Sequence, residues 1–306
     1  MKKILLSLIA TLCTMSSHAQ TIEVYHNGTL VESYTNSPRD HYVVKFTSAG
    51  DYENINGHEY VIIGGLKWAT MNVGATTVAE SNATAFGDFY AWGEVDTYYE
   101  TYNDNTVQWK NSDFTYIKGK KNGYDWTNYC NAPSFKEWTP VPYDDKYQLT
   151  ADYDVARKEW GGTWRIPTMA DLKKLYYACV DASFSNIGSS ETTTAALKPL
   201  PEDGIIKMGG IYRVPKNSTV DGYPYNVAGV LFVMMDDTNQ RLFFPAAGNI
   251  QAQKRDGVGT LCSYWSANAW ADGPGNAHPL YIGNAGINMN HKLARLYGFS
   301  IRPVSD

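Results

Sequence analysis

The sequence predicts an α+β protein in which two helices pack on antiparallel sheets joined by long loops. Three observations lead to this expectation. Short strand-like apolar segments occupy both ends of the chain, and two helical patterns lie together between residues 151 and 179. Between them, a stretch from Asp96 to about Lys146 is rich in aromatic and polar residues without a sustained period. This order favours helices grouped against an antiparallel sheet.

Residues 1–19 have the pattern of a secretory signal peptide. Lys2 and Lys3 precede the apolar run "ILLSLIATLC", and Ser17-His18-Ala19 supplies the small residues that signal peptidase requires before Gln20. The run is too short to span a bilayer of roughly 30 Å, and no later stretch reaches about 18 uninterrupted apolar residues. We therefore expect an exported chain without a membrane-spanning segment, located at the cell surface, outside the cell or in the periplasm.

Charge and cysteine content exclude several classes of protein. Acidic residues number 31 against 26 basic ones, for a formal net charge of −5, which disfavours nucleic acid and anionic membrane as partners. After the signal peptide, the cysteines are Cys130, Cys179 and Cys262, which permit at most one internal disulfide and show no C-x-x-C spacing. The fold must therefore depend on its hydrophobic core.

A short β-hairpin module is predicted for residues 20–50. The alternating segments "TIEVY" and "LVESY" flank Asn27-Gly28, the strongest short-range hairpin pattern, and a third short strand follows. Because a two-stranded hairpin is marginally stable alone, we expect this module to dock on the main domain or on an assembly partner.

The main domain, residues 51–306, opens with "HEYVIIGGLKWATMNVGA", which predicts two strands around Gly64-Gly65. The aromatic segment "AFGDFYAWGEV" follows. We interpret Asp96 to about Lys146 as long loops pinned by aromatic residues, including Trp109 and Trp126. Loops of this length usually serve binding.

The stretch "KEWGGTWRIPT" joins the two predicted helices. Thr150 can cap the first helix, over residues 151–160, and Gly161-Gly162 can end it. Trp160 and Trp164 flank those glycines, and each can bury on the order of 200 Å². We expect the two tryptophans to orient the helix pair.

The second helix begins at an N-cap, Thr168, with Asp171 three residues later as in a capping box. Arg165, just before this cap, is expected to be a structural ion-pair partner and not a catalytic group. The spacing of one buried face is shared by Leu172, Leu175, Tyr176 and Cys179.

After the helices the pattern returns to strands, with a turn at Asp237-Thr238-Asn239. The strand segments are, in order, "GIIKMGGIYRV", "VAGVLFVMMD", "QRLFFPAAG", "SYWSANAW", "HPLYIGN" and "YGFSIRPV".

Multi-residue blocks of the main domain carry a family resemblance. In order, they are "LKWATMNVGA", "FGDFYAWGEV", "WGGTWRIPT", "FFPAAG", "YWSA" and "GFSIRPV". Over residues 58–306 they resemble the Fibrobacter succinogenes major paralogous domain family. The resemblance implies a C-type lectin-like fold, in which the first and last strands pair and a loop-rich face displays ligand contacts. By this resemblance "HEYVIIGG" should lie beside "GFSIRPV". The signal peptide, hairpin module and main domain together look like exported proteins of gut Bacteroidetes.

The resemblance does not extend to a calcium site. Sugar-binding C-type lectins hold Ca²⁺ with Glu-Pro-Asn or Gln-Pro-Asp plus Trp-Asn-Asp, and the sequence contains none of these motifs. Calcium takes about six to eight oxygen ligands, to which Asp144-Asp145 and Asp236-Asp237 could contribute, but we interpret both pairs as solvated turns. We expect no cofactor, with calcium left open in the absence of a recognised motif.

Motifs of catalysis are absent from the sequence. There is no G-x-S-x-G, H-E-x-x-H, glycine-rich phosphate loop or closely spaced Cys/His pair. Formylglycine-generating enzymes share a related fold but depend on reactive cysteines in motifs that this chain lacks, and Cys262 is interpreted as a buried small hydrophobe. The sequence therefore predicts a protein that is not an enzyme, with a glycoside hydrolase as the alternative that its many carboxylates leave open.

The segment from Tyr264 to His291 interleaves asparagines with aromatic residues and glycine, a mixture that resembles an antibody paratope in composition. Trp265 is expected in the core, and asparagines in such a pattern can also simply build turns. We predict ligand contacts at Trp270, His278, Asn284, Asn288 and Asn290.

These patterns favour an exported, cell-surface, non-catalytic protein that binds a glycan or protein ligand through its C-terminal face. One alternative is a structural subunit of a surface fibre or complex, with the hairpin adding a strand to a neighbour. Another follows from a second resemblance, to the lectin-fold variable proteins of diversity-generating retroelements, in which asparagine codons near the C-terminus are randomised.

Overall fold

The N-terminal hairpin forms where the sequence predicts it. β1 (Gln20–His26) pairs antiparallel with β2 (Thr29–Asn36) in a two-stranded sheet. Residues 1–50 make one compact unit and residues 51–306 another. The signal peptide, the Asn27-Gly28 turn, the predicted third strand and most of the predicted long loops lie outside the described residues. The structure, a computed structural model, describes residues 20–26, 29–36, 54–76, 83–95, 143–181, 192–193, 197–251, 254–273 and 275–306.

The main domain begins with a hairpin that packs against a helix. β3 (Asn54–Ile55), β4 (His58–Ile63) and β5 (Leu66–Ala69) are antiparallel neighbours, which confirms the two strands predicted around Gly64-Gly65. Gly64 has a φ of 62°, and a Cβ there would lie 2.7 Å from the Lys174 carbonyl oxygen. Only glycine fits this turn.

The first helix, α1 (Val155–Trp160), starts later than predicted, because residues 151–153 form a separate 3₁₀ turn. Its cap is the buried Asp154, whose carboxylate accepts from the Arg157 N–H (3.2 Å), while Thr150 makes no side-chain cap bond. The same carboxylate accepts from the Ile166 N–H at 3.0 Å, which ties the helix to the turn before the next one. The predicted Thr150 cap was therefore wrong.

The second helix, α2 (Met169–Ala178), has the predicted capping box between Thr168 and Asp171. Arg165 is confirmed as a structural ion-pair partner: its guanidinium lies 2.6 Å from the Asp171 carboxylate and 2.8 Å from that of Asp306. The predicted apolar face is confirmed, since its members are all buried: Leu172, Leu175, Tyr176 and Cys179.

The remaining described strands follow the helices. In chain order they are β6 (Thr192–Thr193), β7 (Leu197–Pro199), β8 (Gly210–Val214), β9 (Ser218–Val220), β10 (Tyr223–Tyr225), β11 (Gly229–Val233), β12 (Arg241–Pro245), β13 (Asn249–Gln251), β14 (Lys254–Asp256), β15 (Cys262–Ala269), β16 (Asn276–Gly283), β17 (Gly286–Asn288), β18 (Leu293–Ala294) and β19 (Val304–Ser305).

These strands and two helices confirm the α+β class. One sheet has the order β12-β11-β8-β7, with β7 parallel to β8, and another has β15-β16-β17-β6, with β18 added to β16. A third has the order β19-β5-β4-β3. The expectation that "HEYVIIGG" lies beside "GFSIRPV" was wrong by one strand. The partner of β19 is instead β5, the strand that follows "HEYVIIGG", and Val304 lies opposite Trp68. On its other side Val304 pairs with Arg165, so β19 fills the gap between β5 and the turn before α2.

A buried arginine links distant parts of the core. Arg302 donates to the Asn72 Oδ1 (2.8 Å) and to the carbonyls of Ala69 and Phe243 (both 2.9 Å). Asn72 in turn donates to the Phe86 carbonyl at 2.9 Å, and the Tyr264 hydroxyl lies 3.2 Å from the Asn72 amide. We call this set the Arg302 hub. It joins five of the blocks that carry the family resemblance, so those blocks hold the fold together.

Two further predictions about the core hold. Trp265 is buried and stacks on Phe299 with ring centroids 4.2 Å apart, and Cys262 is buried. No helix among the described residues is both long and apolar enough to cross a membrane.

Candidate functional site

The site begins with an irregularity in the β15–β16 pair. Trp265 lies opposite Pro279, and Ala269 lies opposite Ala277. Between these two pairs β15 therefore advances by four residues while β16 advances by two. The Ser266 hydroxyl stabilises this wide bulge by donating to the His278 carbonyl at 2.6 Å. Bulges of this kind re-aim side chains near functional sites. Here the bulge places His278 at the edge of a cleft.

The loop between β15 and β16 brings a tryptophan to the same place. The backbone N–H of Trp270 donates to the Asn276 carbonyl at 3.0 Å, which closes the loop just beyond the paired strands. The Trp270 ring lies 5.0 Å from the His278 ring, centroid to centroid. The ammonium of Lys292, just before β18, lies 4.3 Å from the centre of the Trp270 ring. That distance gives a cation–π interaction.

A separate segment, residues 143–149, forms another wall. It is fixed to β15 by hydrogen bonds from the Ala269 N–H to the Tyr147 carbonyl (2.7 Å) and from the Leu149 N–H to the Ala267 carbonyl (2.8 Å). Tyr147 is 41% exposed and has a φ of 58°. A tyrosine is strained in this left-handed conformation, and such strain clusters at functional sites.

The N-terminus of α2 completes the site. The Asn268 Oδ1 accepts from the Met169 N–H at 2.8 Å, so the bulge also satisfies the start of the helix. Met169 and Lys173 are four residues apart and therefore share one face of α2. Together these segments enclose an open cleft of about 320 Å³. We call it the Trp270 cleft; its described lining is Lys146, Tyr147, Met169, Lys173, Asn268, Ala269, Trp270, Ala271, Asp272, His278, Met289 and Asn290.

His278 is held as a neutral ring with a defined proton position. Its Nδ1 lies 3.1 Å from the His291 carbonyl oxygen, which can only accept, so Nδ1 carries the hydrogen and Nε2 is left as an acceptor. Burial lowers the pKa of His278, and the nearby charges of Lys173 and Lys292 act in the same direction. The ring therefore offers a ligand one acceptor at neutral pH.

The structure brings together three of the five residues predicted as contacts. Trp270, His278 and Asn290 line the cleft. Asn288 lies beside it, where its side-chain oxygen accepts from the Asn290 N–H at 2.9 Å. Asn284 lies apart, exposed in the two-residue turn between β16 and β17. Both asparagines therefore fit the alternative that the sequence left open, in which asparagines build turns.

The positive charge of the site, which three lysines supply, was not predicted from the sequence. Lys146, Lys173 and Lys292 come from three separate segments, and none belongs to a basic run that would have identified it. The spacing of Met169 and Lys173, four residues apart in α2, is the pattern that places Lys173 on the same helix face as another lining residue. Nothing in the sequence places Lys292 beside Trp270, because that contact depends on the pairing of β18 with β16.

The described residues contain no group of three or more His, Cys, Asp or Glu side chains that could hold a metal ion. The aspartates considered for calcium have local roles. The Asp144 Oδ1 accepts from the N–H groups of Lys146 and Gln148, both at 2.9 Å, and the Asp237 Oδ1 accepts from the Asn239 N–H at 2.9 Å. Cys179 and Cys262 are both free and buried.

A larger cleft of about 570 Å³ lies elsewhere, between β7 and the β9 region. Its described lining includes Pro199, Pro201 and Pro215 and contains no aromatic side chain. Its one guanidinium, that of Arg213, already donates to the Gly283 carbonyl at 2.9 Å. Because binding sites combine aromatic surface with converging polar groups, the smaller Trp270 cleft is the better candidate despite its size.

No family model, curated protein or solved structure matches this chain.

Proposed function

We propose that this chain is an exported, non-catalytic binding protein whose lectin-like main domain recognises a glycan or a protein ligand in the Trp270 cleft. The observation that carries the proposal is the convergence of Tyr147 with Trp270 and His278 of the β15–β16 hairpin, more than 100 residues away in the chain, around about 320 Å³ of open space. An aromatic ring gives a ligand a rigid surface, and the flanking amide and imidazole groups fix its orientation.

The fold supports the lectin-like part of the proposal. β19 shares a sheet with β5 and β4, so strands from near the two ends of the main domain lie together. The cleft is built mainly from loops and from the bulge in β15. Pairing of the first and last strands and a loop-rich face that displays ligand contacts are what the C-type lectin-like resemblance implies.

The charges in the cleft favour binding over glycoside hydrolysis. Asp272 supplies the single carboxylate in the described lining. Most glycoside hydrolases act with a pair of carboxylates about 5 to 10 Å apart across the scissile bond. The described side chains of the cleft provide groups that hold a ligand but not such a pair.

The test is binding of residues 20–306 to a broad panel of glycans and host glycoproteins, with and without a chelator. Trp270→Ala is compared with Asn284→Ala, because both residues were predicted contacts but only Trp270 lines the cleft. We expect Trp270→Ala to reduce binding at least about tenfold and Asn284→Ala to leave it unchanged. Equal loss in both variants, or no binding by the wild type, would contradict the proposal.

A second candidate function is assembly through the hairpin module. The observation that favours it is the sheet of β1 and β2, which has two strands within the described residues, since a pair of strands is marginally stable without a further partner. Strand addition to a neighbouring chain would supply one. The test is analytical ultracentrifugation: a concentration-dependent oligomer that disappears on deletion of residues 20–47 supports assembly, and a monomer at all concentrations rejects it.

A further inference from the structure

We infer that the ligand of the Trp270 cleft is an acidic saccharide, one that carries a carboxylate or sulfate group. This inference rests on the proposed function, because it assumes that the cleft binds a ligand. Lys146 and Lys173 line the cleft and Lys292 lies over its tryptophan, whereas Asp272 is the single carboxylate among the described lining residues. The whole chain has a net charge of −5, so this local excess of positive charge runs against the overall composition.

The position of Lys292 separates acidic from neutral sugars. Its ammonium lies 4.3 Å from the centre of the Trp270 ring and so covers one face of the indole. A neutral sugar that stacks on that face must displace the ammonium and lose the cation–π interaction. A sugar with an acidic group can leave Lys292 in place and pair with it, so the same contact that hinders neutral sugars assists charged ones.

The backbone holds Lys292 in this position. His278 donates its Nδ1 hydrogen to the carbonyl of His291, the residue before Lys292 (3.1 Å). The residue after it begins β18, where Leu293 pairs with Ala277 of β16. Both neighbours are therefore fixed to β16, and a ligand does not have to order this segment.

Lys173 adds a second charge from α2. Its charge and that of Lys292 both help to lower the pKa of His278, so both ammonium groups lie near that ring. No ion pair joins Lys146, Lys173 or Lys292 to a carboxylate within the described residues. Because His278 is neutral and its Nε2 carries no hydrogen, it can accept a hydrogen bond from a sugar hydroxyl without adding a further positive charge.

The shape of the site favours a sugar over an acidic peptide. The cleft is about 320 Å³, at the lower end of the range for small-molecule sites. An extended peptide usually needs a long groove or a free strand edge. A short saccharide instead needs an aromatic edge, side-chain amides and a local charge, and Tyr147, Asn290 and the lysines provide these.

The experiment measures affinities of residues 20–306 for matched pairs of saccharides. The pairs are a sialylated and an unsialylated trisaccharide, a uronic-acid oligomer and its neutral reduced form, and a sulfated and an unsulfated disaccharide; an acidic peptide serves as the comparison. The variants are Lys173→Ala and Lys292→Ala. The control is Lys174→Ala, an exposed neighbour on α2 outside the cleft lining.

We expect tighter binding of the acidic member of at least one pair, weakened about tenfold by each of the two lysine variants and unchanged by Lys174→Ala. Lys292→Ala should leave binding of the neutral member equal or improved. As a check independent of any variant, the wild-type preference should shrink as the salt concentration rises.

The other outcomes are distinguishable. Equal binding of neutral and acidic sugars that requires Trp270 but neither lysine overturns this inference and leaves the proposed function standing. Binding of the acidic peptide alone overturns the saccharide assignment. Absence of binding to every saccharide overturns this inference, whereas the proposed function is overturned only if the broad glycan and glycoprotein panel also shows no binding.

Discussion

Replacing the hub arginine, Arg302→Met, should destabilise the main domain more than the same substitution at the half-buried Arg213. Methionine approximates the length of the arginine stem but donates no hydrogen bond. The Asn72 Oδ1 and the carbonyls of Ala69 and Phe243 then lose donors at 2.8, 2.9 and 2.9 Å. All three acceptors lie in the buried core, where water does not replace the lost bonds.

The expected loss follows from these contacts. A buried acceptor left without a donor costs about 1 to 3 kcal/mol, so three of them cost up to about 9 kcal/mol. Removal of a desolvated charge and the apolar packing of methionine against Phe244 offset part of this. We expect a net decrease of about 3 to 5 kcal/mol in the free energy of unfolding, or about 6 to 10 °C in Tm for a domain of this size.

The assay is urea denaturation of residues 51–306 followed by tryptophan fluorescence. The control is Arg213→Met, which removes one hydrogen bond, to the Gly283 carbonyl, from a half-buried arginine, and it should cost about 1 kcal/mol. Arg302→Lys keeps the charge but cannot reach three acceptors at once, so we expect a loss close to that of methionine. A cost below about 1 kcal/mol for Arg302→Met would refute the reasoning.

Three further outcomes follow from buried ionisable groups. Burial raises the pKa of Asp88 to about 7, so the folded chain keeps a proton there that the unfolded chain releases above about pH 4. The free energy of unfolding should therefore fall by as much as about 4 kcal/mol between pH 4 and pH 7, and Asp88→Asn should flatten this slope in urea titrations across that range. Asp154→Ala removes the acceptor of two backbone N–H groups and should lower the free energy of unfolding by about 2 to 4 kcal/mol in the same urea denaturation. A decrease under about 0.5 kcal/mol would show that Asp154 does not stabilise the link between α1 and the turn before α2. In residues 20–306 with Cys130→Ser, the two remaining thiols are Cys179 and Cys262, and burial raises the pKa of both, that of Cys262 to about 12. Neither should react with a thiol reagent before unfolding, so rapid reaction of the native protein would contradict their burial.

Local patterns in the sequence were sufficient where a structure depends on neighbours in the chain. The capping box of Thr168 and Asp171 and the apolar face of α2 involve residues within about two helical turns, so their spacing alone predicts them. The start of α1 could not be predicted in this way. Asp154 takes this position partly because its carboxylate also accepts from the Ile166 N–H, which follows the turn at Gly161-Gly162. Ile166 comes within reach of Asp154 only after that turn has folded.

The candidate site was predictable in part for the same reason. Trp270 and His278 lie in one short segment, and their composition alone drew attention to them. Lys173 and Lys292 lie far apart in the chain, and both come near His278 because α2 packs beside β16. The resemblance could not supply them either, because none of its blocks contributes a residue to the described lining of the cleft.

The Arg302 hub also has a consequence for the order of folding. Its bonds to Asn72 and Ala69 span 230 and 233 residues, and its bond to Phe243 spans 59. Contacts between such distant residues carry a large loop-closure cost and are formed slowly. We therefore expect the core to close only after the segment that holds Arg302 has been synthesised, and the preceding residues to remain accessible to chaperones until then.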